Sequence, residues 1–586
     1  MFIRVVKMPL VRSILPFLVL PAALGQFASQ LPLDDLRQDG GKVVNKELSS
    51  YVQNVLDANN FTGLSLGIVL PNGEVEYAAW GNRTEDGDLV DQETVMNLGS
   101  CSKAFLSTSL GILMQDFADG KNKSALPNTV VEFNWDTKIR DLLPNEWLTE
   151  DQWTTEKASL KDLLSHQTGL PAHDKSYSAY DSPQDVVLQM RHLRAAYELR
   201  ERYEYNNQMY ITGAYVISKY SGSSYRDFVE ERILLPLRMT SSTLYLNRAI
   251  ESGRFSQSWS PSRRRIPFFM PEHTADLMAG AAGVFSTVED MVQWVKTLLN
   301  FGVDAQTNTT IIPRTTFDLA TSAISVSRDK GDNLTSMSGY GLGWGRYSYR
   351  GHEMVSHNGG AAGVATIVDL FPHDGYGLVL LGNTMGPSVT RKIARAVTDR
   401  FLGLAPASEI RVESEVQVQP QRQIPAAPAL PLNTSAIADL TGTYVSIGGY
   451  GNFTLCSPVP PTSPECLAPV QAFRTVDAAA GTPTDPTDLY AVWPRFWASH
   501  IRFSRVSGND YEYDYSYSAE ITNLYVEGYG ADRTPFEDVS DVIPARFAVE
   551  KGKVVGLGLS VALKPSWRAK KGGSLREIAD VWFDKL

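Results

Sequence analysis

Met96-Asn97-Leu98-Gly99-Ser100-Cys101-Ser102-Lys103-Ala104-Phe105 sets a serine and a lysine three residues apart at the entry of an apolar segment that runs to Phe117. Ala104, Phe105, Leu110, Ile112, Leu113, Met114 and Phe117 make that segment apolar almost all round, the pattern of a helix buried in a core. On such a helix Ser100 and Lys103 share one face, one turn apart. A serine hydroxyl is a weak nucleophile at neutral pH, and an amine within hydrogen-bond reach can activate it or help a third group do so. The serine also falls at the positive end of the helix, where backbone N–H groups stabilise a developing oxyanion. In isolation the same spacing describes a capping serine with a lysine reaching out to solvent. It occurs again at Ser327-Arg328-Asp329-Lys330, in a polar stretch that reads as a solvated loop.

The chain has 586 residues, 43% of them hydrophobic, enough for at least two domains with sizeable cores. Its net charge of -11 and the lack of a basic cluster argue against a nucleic-acid partner and leave small molecules or peptides as substrates. Arg263-Arg264-Arg265, the one triple-basic run, reads as surface loop. Arg4, Lys7 and Arg12 precede the apolar stretch Ile14 to Ala23 and the small-residue site Ala23-Leu24-Gly25, the layout of an export signal over residues 1–25. That stretch is short for a bilayer span and no later segment qualifies, so no stable membrane insertion is expected. Sequons at Asn60, Asn82, Asn122, Asn308, Asn333, Asn433 and Asn452 fit a eukaryotic secretory route to the extracellular space. Cys456 and Cys466 flank a Pro-rich loop and are candidates to pair, with Cys101 left as a small buried packing residue.

Residues 26–42 form a polar leader. Leu64 to Leu70 and Glu74 to Trp80 are strand-like runs around the hairpin signal Pro71-Asn72-Gly73, and Val364 to Phe371 and Tyr376 to Leu381 repeat the pattern across His373-Asp374-Gly375. Between them lie candidate helices at Leu160 to Leu164, Val186 to Leu199 and Met209 to Tyr220. Strands at both ends of a helical middle predict an α+β domain over 43–404 whose sheet is closed by its two termini. Residues 405–433, rich in Pro, Gln, Ala and Glu, are a linker. The aromatic, alternating segments of 434–586 predict a small all-β domain.

Two later motifs give the first its meaning. Tyr205-Asn206-Asn207 heads an amphipathic helix, where a tyrosine could shuttle a proton if Lys103 lowered its pKa and Asn207 could hold a substrate amide. His357-Asn358-Gly359-Gly360 precedes a strand, its paired glycines allowing close approach to a sheet edge. Each motif has look-alikes, at Tyr245-Leu246-Asn247, Tyr450-Gly451-Asn452 and His373-Asp374-Gly375. Taken in order, Ser-x-x-Lys, Tyr-x-Asn and His-x-Gly resemble the class C β-lactamase and penicillin-binding-protein family of serine hydrolases. Leu163-Leu164-Ser165-His166-Gln167-Thr168-Gly169-Leu170-Pro171, Ala282-Gly283-Val284-Phe285-Ser286-Thr287-Val288-Glu289-Asp290-Met291 and Tyr340-Gly341-Leu342-Gly343-Trp344 extend the resemblance from about residue 43 to about 404. The C-terminal part, with Leu440-Thr441-Gly442-Thr443-Tyr444, is similar to the lipocalin-like barrel appended to some members.

The resemblance implies a transpeptidase-like domain, an antiparallel sheet with a helical subdomain. It makes Ser100 the acylated nucleophile, with Lys103 and Tyr205 sharing its proton and the base undecided between them. It also implies an oxyanion hole from the Ser100 and Gly360 amides, Asn207 on the substrate amide, and His357 and Gly359 on the opposite wall. His357 stands where members that bind a substrate carboxylate commonly have lysine, which lowers the expectation of β-lactamase or carboxypeptidase activity and favours D-aminopeptidase-like or esterase-like hydrolysis. An acyltransferase of secondary metabolism would use the same acyl-enzyme, and a silent protein binding apolar ligands in its barrel is the reading from another class. Gly63-Leu64-Ser65-Leu66-Gly67 matches a nucleophile elbow but sits in a hairpin strand. No zinc spacing, phosphate loop or dinucleotide fingerprint is present, and the chemistry calls for no cofactor.

Overall fold

A computed structural model describes residues 42–407, 439–460, 462–506, 516–560 and 574–586. The export signal, the leader up to residue 41, the linker from 408 onward and Asn433 lie outside the described residues.

β1 (Gly63–Val69) and β2 (Val75–Gly81) form the first hairpin. β3 (Ser325–Arg328), β4 (Ser338–Tyr340), β5 (Gly345–Tyr349), β6 (His352–Ala361), β7 (Val364–Phe371) and β8 (Tyr376–Gly382) complete one antiparallel sheet in the order β2-β1-β8-β7-β6-β5-β4-β3. β1 pairs with β8, Leu64 opposite Gly382, which joins the two ends of the domain as the hairpins predict. Both faces of the central strands are apolar because both are covered. Leu64, Leu66, Ile68, Ala365, Ile367, Leu378 and Leu380 enter one core with α1 (Lys46–Ala58) and α7 (Pro387–Phe401). Val69, Val368, Leu370, Val379 and Leu381 alternate with them and enter the other. That second core holds α2 (Lys103–Ala118), α3 (Leu160–Leu164), α4 (Asn207–Ser221), α5 (Ala275–Ala282) and α6 (Val288–Leu299).

Several local expectations differ from what the fold adopts. Ser327 lies in edge strand β3, donating to the Ser338 carbonyl at 3.1 Å, and only the residues after Arg328 form loop. The helix expected over Val186 to Leu199 is Pro183–Gln189 with a 3₁₀ turn at Met190–His192. Ser182 and Asp185 close a capping box at its start, and past its end the Arg194 guanidinium reaches carbonyls of the C-terminal domain. α4 is buried almost all round rather than amphipathic, since α2, α3 and α5 pack about it. His357-Asn358-Gly359-Gly360 precedes strand β7, as expected, and itself lies within strand β6. Arg264 and Arg265 are not free surface loop: Arg264 pairs with Asp532 at 2.7 Å, and Arg265 lies over the Tyr529 ring at 5.3 Å.

β9 (Gly442–Val445), β10 (Asn452–Leu455), β11 (Leu489–Arg495), β12 (Ala498–Arg505), β13 (Ser516–Tyr525), β14 (Phe536–Glu550), β15 (Lys553–Leu559) and β16 (Val581–Lys585) form a nearly closed antiparallel barrel, order β10-β9-β16-β15-β14-β13-β12-β11. Reciprocal backbone bonds between Cys456 and Tyr490, each 2.8 Å, bring its two ends together. The expected disulfide is present, tying Cys456 to Cys466 in α8 (Pro464–Ala480). Tyr444, Tyr450, Phe453, Trp493, Phe503 and Phe583 are buried together in the aromatic core of the barrel. Among the described residues no helix is long and apolar enough to cross a membrane.

Candidate active site

Ser100 stands in a 3₁₀ turn, Gly99–Ser102, that leads directly into α2. Asn97 braces the turn from below: its Nδ2 donates to the carbonyls of Ala282 at 2.9 Å and Val284 at 3.2 Å, and its Oδ1 accepts from the Gly99 amide at 2.8 Å. Gly99 takes φ +51°, which favours glycine, and so turns the chain into the helix. β5 pairs with β6 only as far as Ser356, and the free edge of β6 beyond it faces the Ser100 turn. The approach is close enough that a Cβ on Gly359 would lie 2.2 Å from the Leu98 carbonyl oxygen. Gly359 therefore clears space for the backbone of the Ser100 turn, whereas a Cβ on Gly360 would meet no atom within 4 Å. Ser100 is half-buried and Gly360 exposed, with their amides on facing elements.

Lys103 does not reach outward; it is wholly buried. Its Nζ lies 2.8 Å from Asn207 Oδ1, 3.0 Å from the Ala281 carbonyl oxygen and 3.2 Å from Ser100 Oγ. Burial lowers its pKa to about 7, against the opposing pull of Asp174 and Cys101. The Tyr205 hydroxyl donates to Ser100 Oγ at 2.7 Å. Tyr205 departs from the expectation of a lowered pKa: burial pushes it well above the usual value, and the bond to Ser100 only partly opposes this. The lysine, rather than the tyrosine, is brought into the neutral range.

Distant segments hold Tyr205 in place. Asn206 caps α4, accepting from the Gln208 amide at 2.8 Å, and its Nδ2 donates to the carbonyls of Leu170 and Pro171. His166, at φ +58°, accepts the Asn206 amide on Nδ1 at 3.1 Å and packs its ring 4.5 Å from that of Tyr205. The Leu163 to Pro171 segment thus folds back as a bracket for the tyrosine.

His357 is buried on β6. Its Nδ1 donates to the Asn358 carbonyl at 2.7 Å, and the Tyr340 hydroxyl donates to Nε2 at 2.9 Å. Burial, then Lys103, lowers its pKa to about 3, so the ring is neutral at physiological pH and supplies no cation to this wall. Cys101, also buried, donates its thiol to the His357 carbonyl at 3.3 Å, and burial raises its pKa. It is a packing residue, as its place on an apolar helix predicts.

The fold brings Ser100, Lys103, Tyr205, Asn207, His357, Gly359 and Gly360 together and leaves the look-alikes elsewhere. Tyr245 donates to Asp227, Tyr450 pairs with His173 at the barrel interface, and His373 pairs with Glu353. Asp174, Tyr177 and Tyr340 also join this cluster; Tyr340 heads the Tyr340 to Trp344 segment singled out in the sequence, whereas Asp174 and Tyr177 have no local signature there. Asp174 accepts from Asn207 Nδ2 at 3.3 and 3.2 Å and from the Tyr177 hydroxyl at 2.8 Å. Asn60, Asn82, Asn122, Asn308, Asn333 and Asn452 are all exposed.

The beta-lactamase family model matches residues 48–400. The unguisins hydrolase ungD′ of Aspergillus campestris is 26% identical over 70% of this chain and 77% of its own length. The unguisins hydrolase ungD of Aspergillus violaceofuscus is 29% identical over 50% of this chain and about half, 53%, of its own length. Among solved structures, the octameric penicillin-binding protein homologue from Pyrococcus abyssi shares the fold over 92% of this chain and 99% of that one, at 16% identity and a TM-score of 0.52.

Proposed function

The chain belongs to the beta-lactamase family and is a serine hydrolase, and we propose that it is a secreted enzyme that opens a peptide amide or an ester through an acyl-enzyme on Ser100. The observation that carries this reading is the environment of Lys103. A neutral amine has two hydrogens and one lone pair. Asn207 Oδ1 and the Ala281 carbonyl accept the two hydrogens, and the lone pair is left for the Ser100 hydroxyl at 3.2 Å. Lys103 then takes the Ser100 proton as Oγ bonds to the substrate carbonyl carbon, while the amides of Ser100 and Gly360 hold the resulting oxyanion. Tyr205, kept protonated by burial, passes its hydroxyl proton to the leaving nitrogen or oxygen, and the Lys103 ammonium restores it. Water attacks the ester in the second half with Lys103 again as base.

The neutral His357 wall lacks the cation that a substrate carboxylate would need, which supports amides and esters of D-aminopeptidase-like or esterase-like type over β-lactams. The name unguisins hydrolase, carried by two relatives, supports water over a second acceptor. Aromatic side chains occupy the barrel core, which weighs against an apolar-ligand carrier. Cleavage after residue 25, a leader to 42, a catalytic domain over 43–404, a linker over 405–433 and a barrel over 434–586 complete the proposal, with the disulfide and the exposed sequons supporting export. Ser100→Ala should abolish both labelling by a fluorophosphonate probe and turnover of D- and L-amino acid amides and short-chain esters. Labelling that survives in that variant removes Ser100 from the mechanism.

A further inference from the structure

A line of side chains runs from the barrel to the lysine. Trp497, in the turn between β11 and β12, donates its Nε1–H to the Tyr177 hydroxyl at 3.1 Å. Tyr177 donates to Asp174 Oδ1 at 2.8 Å, Asn207 Nδ2 donates to the same carboxylate, and Asn207 Oδ1 faces Lys103 Nζ at 2.8 Å. The inventory of donors and acceptors permits one arrangement. An indole N–H only donates, so it occupies a lone pair of Tyr177 and leaves that hydroxyl to donate onward. An ionised carboxylate only accepts, so Asn207 must turn its NH₂ toward Asp174 and hence its carbonyl toward Lys103. The amide orientation that holds the amine next to Ser100 is thus set by the Asp174 carboxylate, which is linked through Tyr177 to Trp497 of the barrel.

Packing fixes the origin of the line. The Trp497 ring stacks on Phe269 with centroids 5.4 Å apart and planes 13° apart, and Phe496 packs on both Trp497 and Tyr177. The Phe496 amide donates to the Tyr177 carbonyl at 3.1 Å, and Tyr177 is wholly buried. We propose that Trp497 is a positioning residue for the Lys103 amine, acting through Tyr177, Asp174 and Asn207, so that the site in the catalytic domain is completed by the docked barrel. The proposal rests on the Ser100 and Lys103 reading above.

The groups facing Lys103 are Asp174, His166 from the segment after α3, His357 from β6, Tyr205 and Tyr210 at the head of α4, and Cys101 on its own turn. Asp174 is the carboxylate among them and raises the lysine pKa. Loosening Asp174 therefore lowers that pKa and moves the acidic limb of acylation to lower pH.

The test follows fluorophosphonate labelling of the full chain across pH. Trp497→Phe keeps the stacked ring and removes the N–H; Tyr177→Phe breaks the next link and serves where the first variant is poorly folded. Each should slow plateau labelling about threefold to tenfold and displace the limb downward, and the double variant should be no slower than Tyr177→Phe alone. Arg264→Ala, which breaks a different barrel contact, the Arg264–Asp532 pair, should match the wild type. A Trp497→Phe profile equal to wild type, or a displacement shared by Arg264→Ala, overturns the proposal while a silent Ser100→Ala leaves the nucleophile in place. Labelling of Ser100→Ala overturns both.

Discussion

For the acyl-enzyme proposed above, the pH dependence of acylation follows from the burial of Lys103. A lysine at its ordinary value of 10.5 is neutral in about one molecule in 3,000 at pH 7, whereas at about 7 half the molecules carry a free base. Burial thus raises the available base more than a thousandfold at neutral pH. The labelling rate should climb with unit slope to a midpoint near pH 7, standing at about a tenth of its plateau at pH 6 and about a hundredth at pH 5. The same shift is a stability statement. The folded pKa lies below the unfolded one, so between the two values the unfolded chain holds a proton that the folded chain does not, and stability rises with pH through that window. Integrated from pH 6 to pH 9, the rise amounts to about 2–3 kcal/mol. Lys103→Met removes the titrating group, so the wild-type-minus-variant difference in unfolding free energy, measured in urea at both pH values, should change by that amount in favour of the wild type at pH 9. Lys103→Arg, always charged, should be inert to the probe at every pH. An acidic limb centred above pH 9, or a stability difference that is the same at pH 6 and pH 9, would refute the reasoning.

Tyr205→Phe removes only the hydroxyl that donates to Ser100 and should cut the acylation rate by about 100-fold or more with little change in melting temperature, so near-wild-type labelling would remove Tyr205 from proton transfer. Gly359→Ala sets a Cβ against the Leu98 carbonyl and should push β6 off the nucleophile turn, costing about 1–3 kcal/mol in denaturant titration together with most of the labelling; full retention of both would contradict the close approach. Asp369, buried on β7, accepts from Arg391 at 2.7 Å and Ser356 at 2.6 Å, so Asp369→Asn leaves the Arg391 charge without its counter-ion and should destabilise by about 3–5 kcal/mol, read as a lowered melting temperature.

The sites of Ser100, Lys103, Tyr205, Asn207 and His357 were legible in the chain because each lies in a short motif whose spacing is set by one turn of helix or one stretch of strand. The buried helix after Ser100 and the two hairpins were legible for the same reason: all-round apolarity, period-2 alternation and an Asn-Gly or Asp-Gly turn are local patterns. The amphipathic reading of α4 and the long helix over Val186 to Leu199 failed where neighbours distant in sequence supplied burial or pulled the backbone away, as the Arg194 contacts to the barrel do.

The division falls along the range of the forces involved. Residue order alone brought out the candidate groups, since hydroxyl, amine, phenol and amide are properties of side chains and of their spacing. Which side chain burial brings into the neutral range, why His357 is neutral, and which way the Asn207 amide turns between Asp174 and Lys103 were decided only in three dimensions. A pKa and the direction of an amide depend on desolvation and on hydrogen-bond partners, and here those partners come from strands, helices and a second domain, as far apart in the chain as Tyr177 and Trp497, 320 positions.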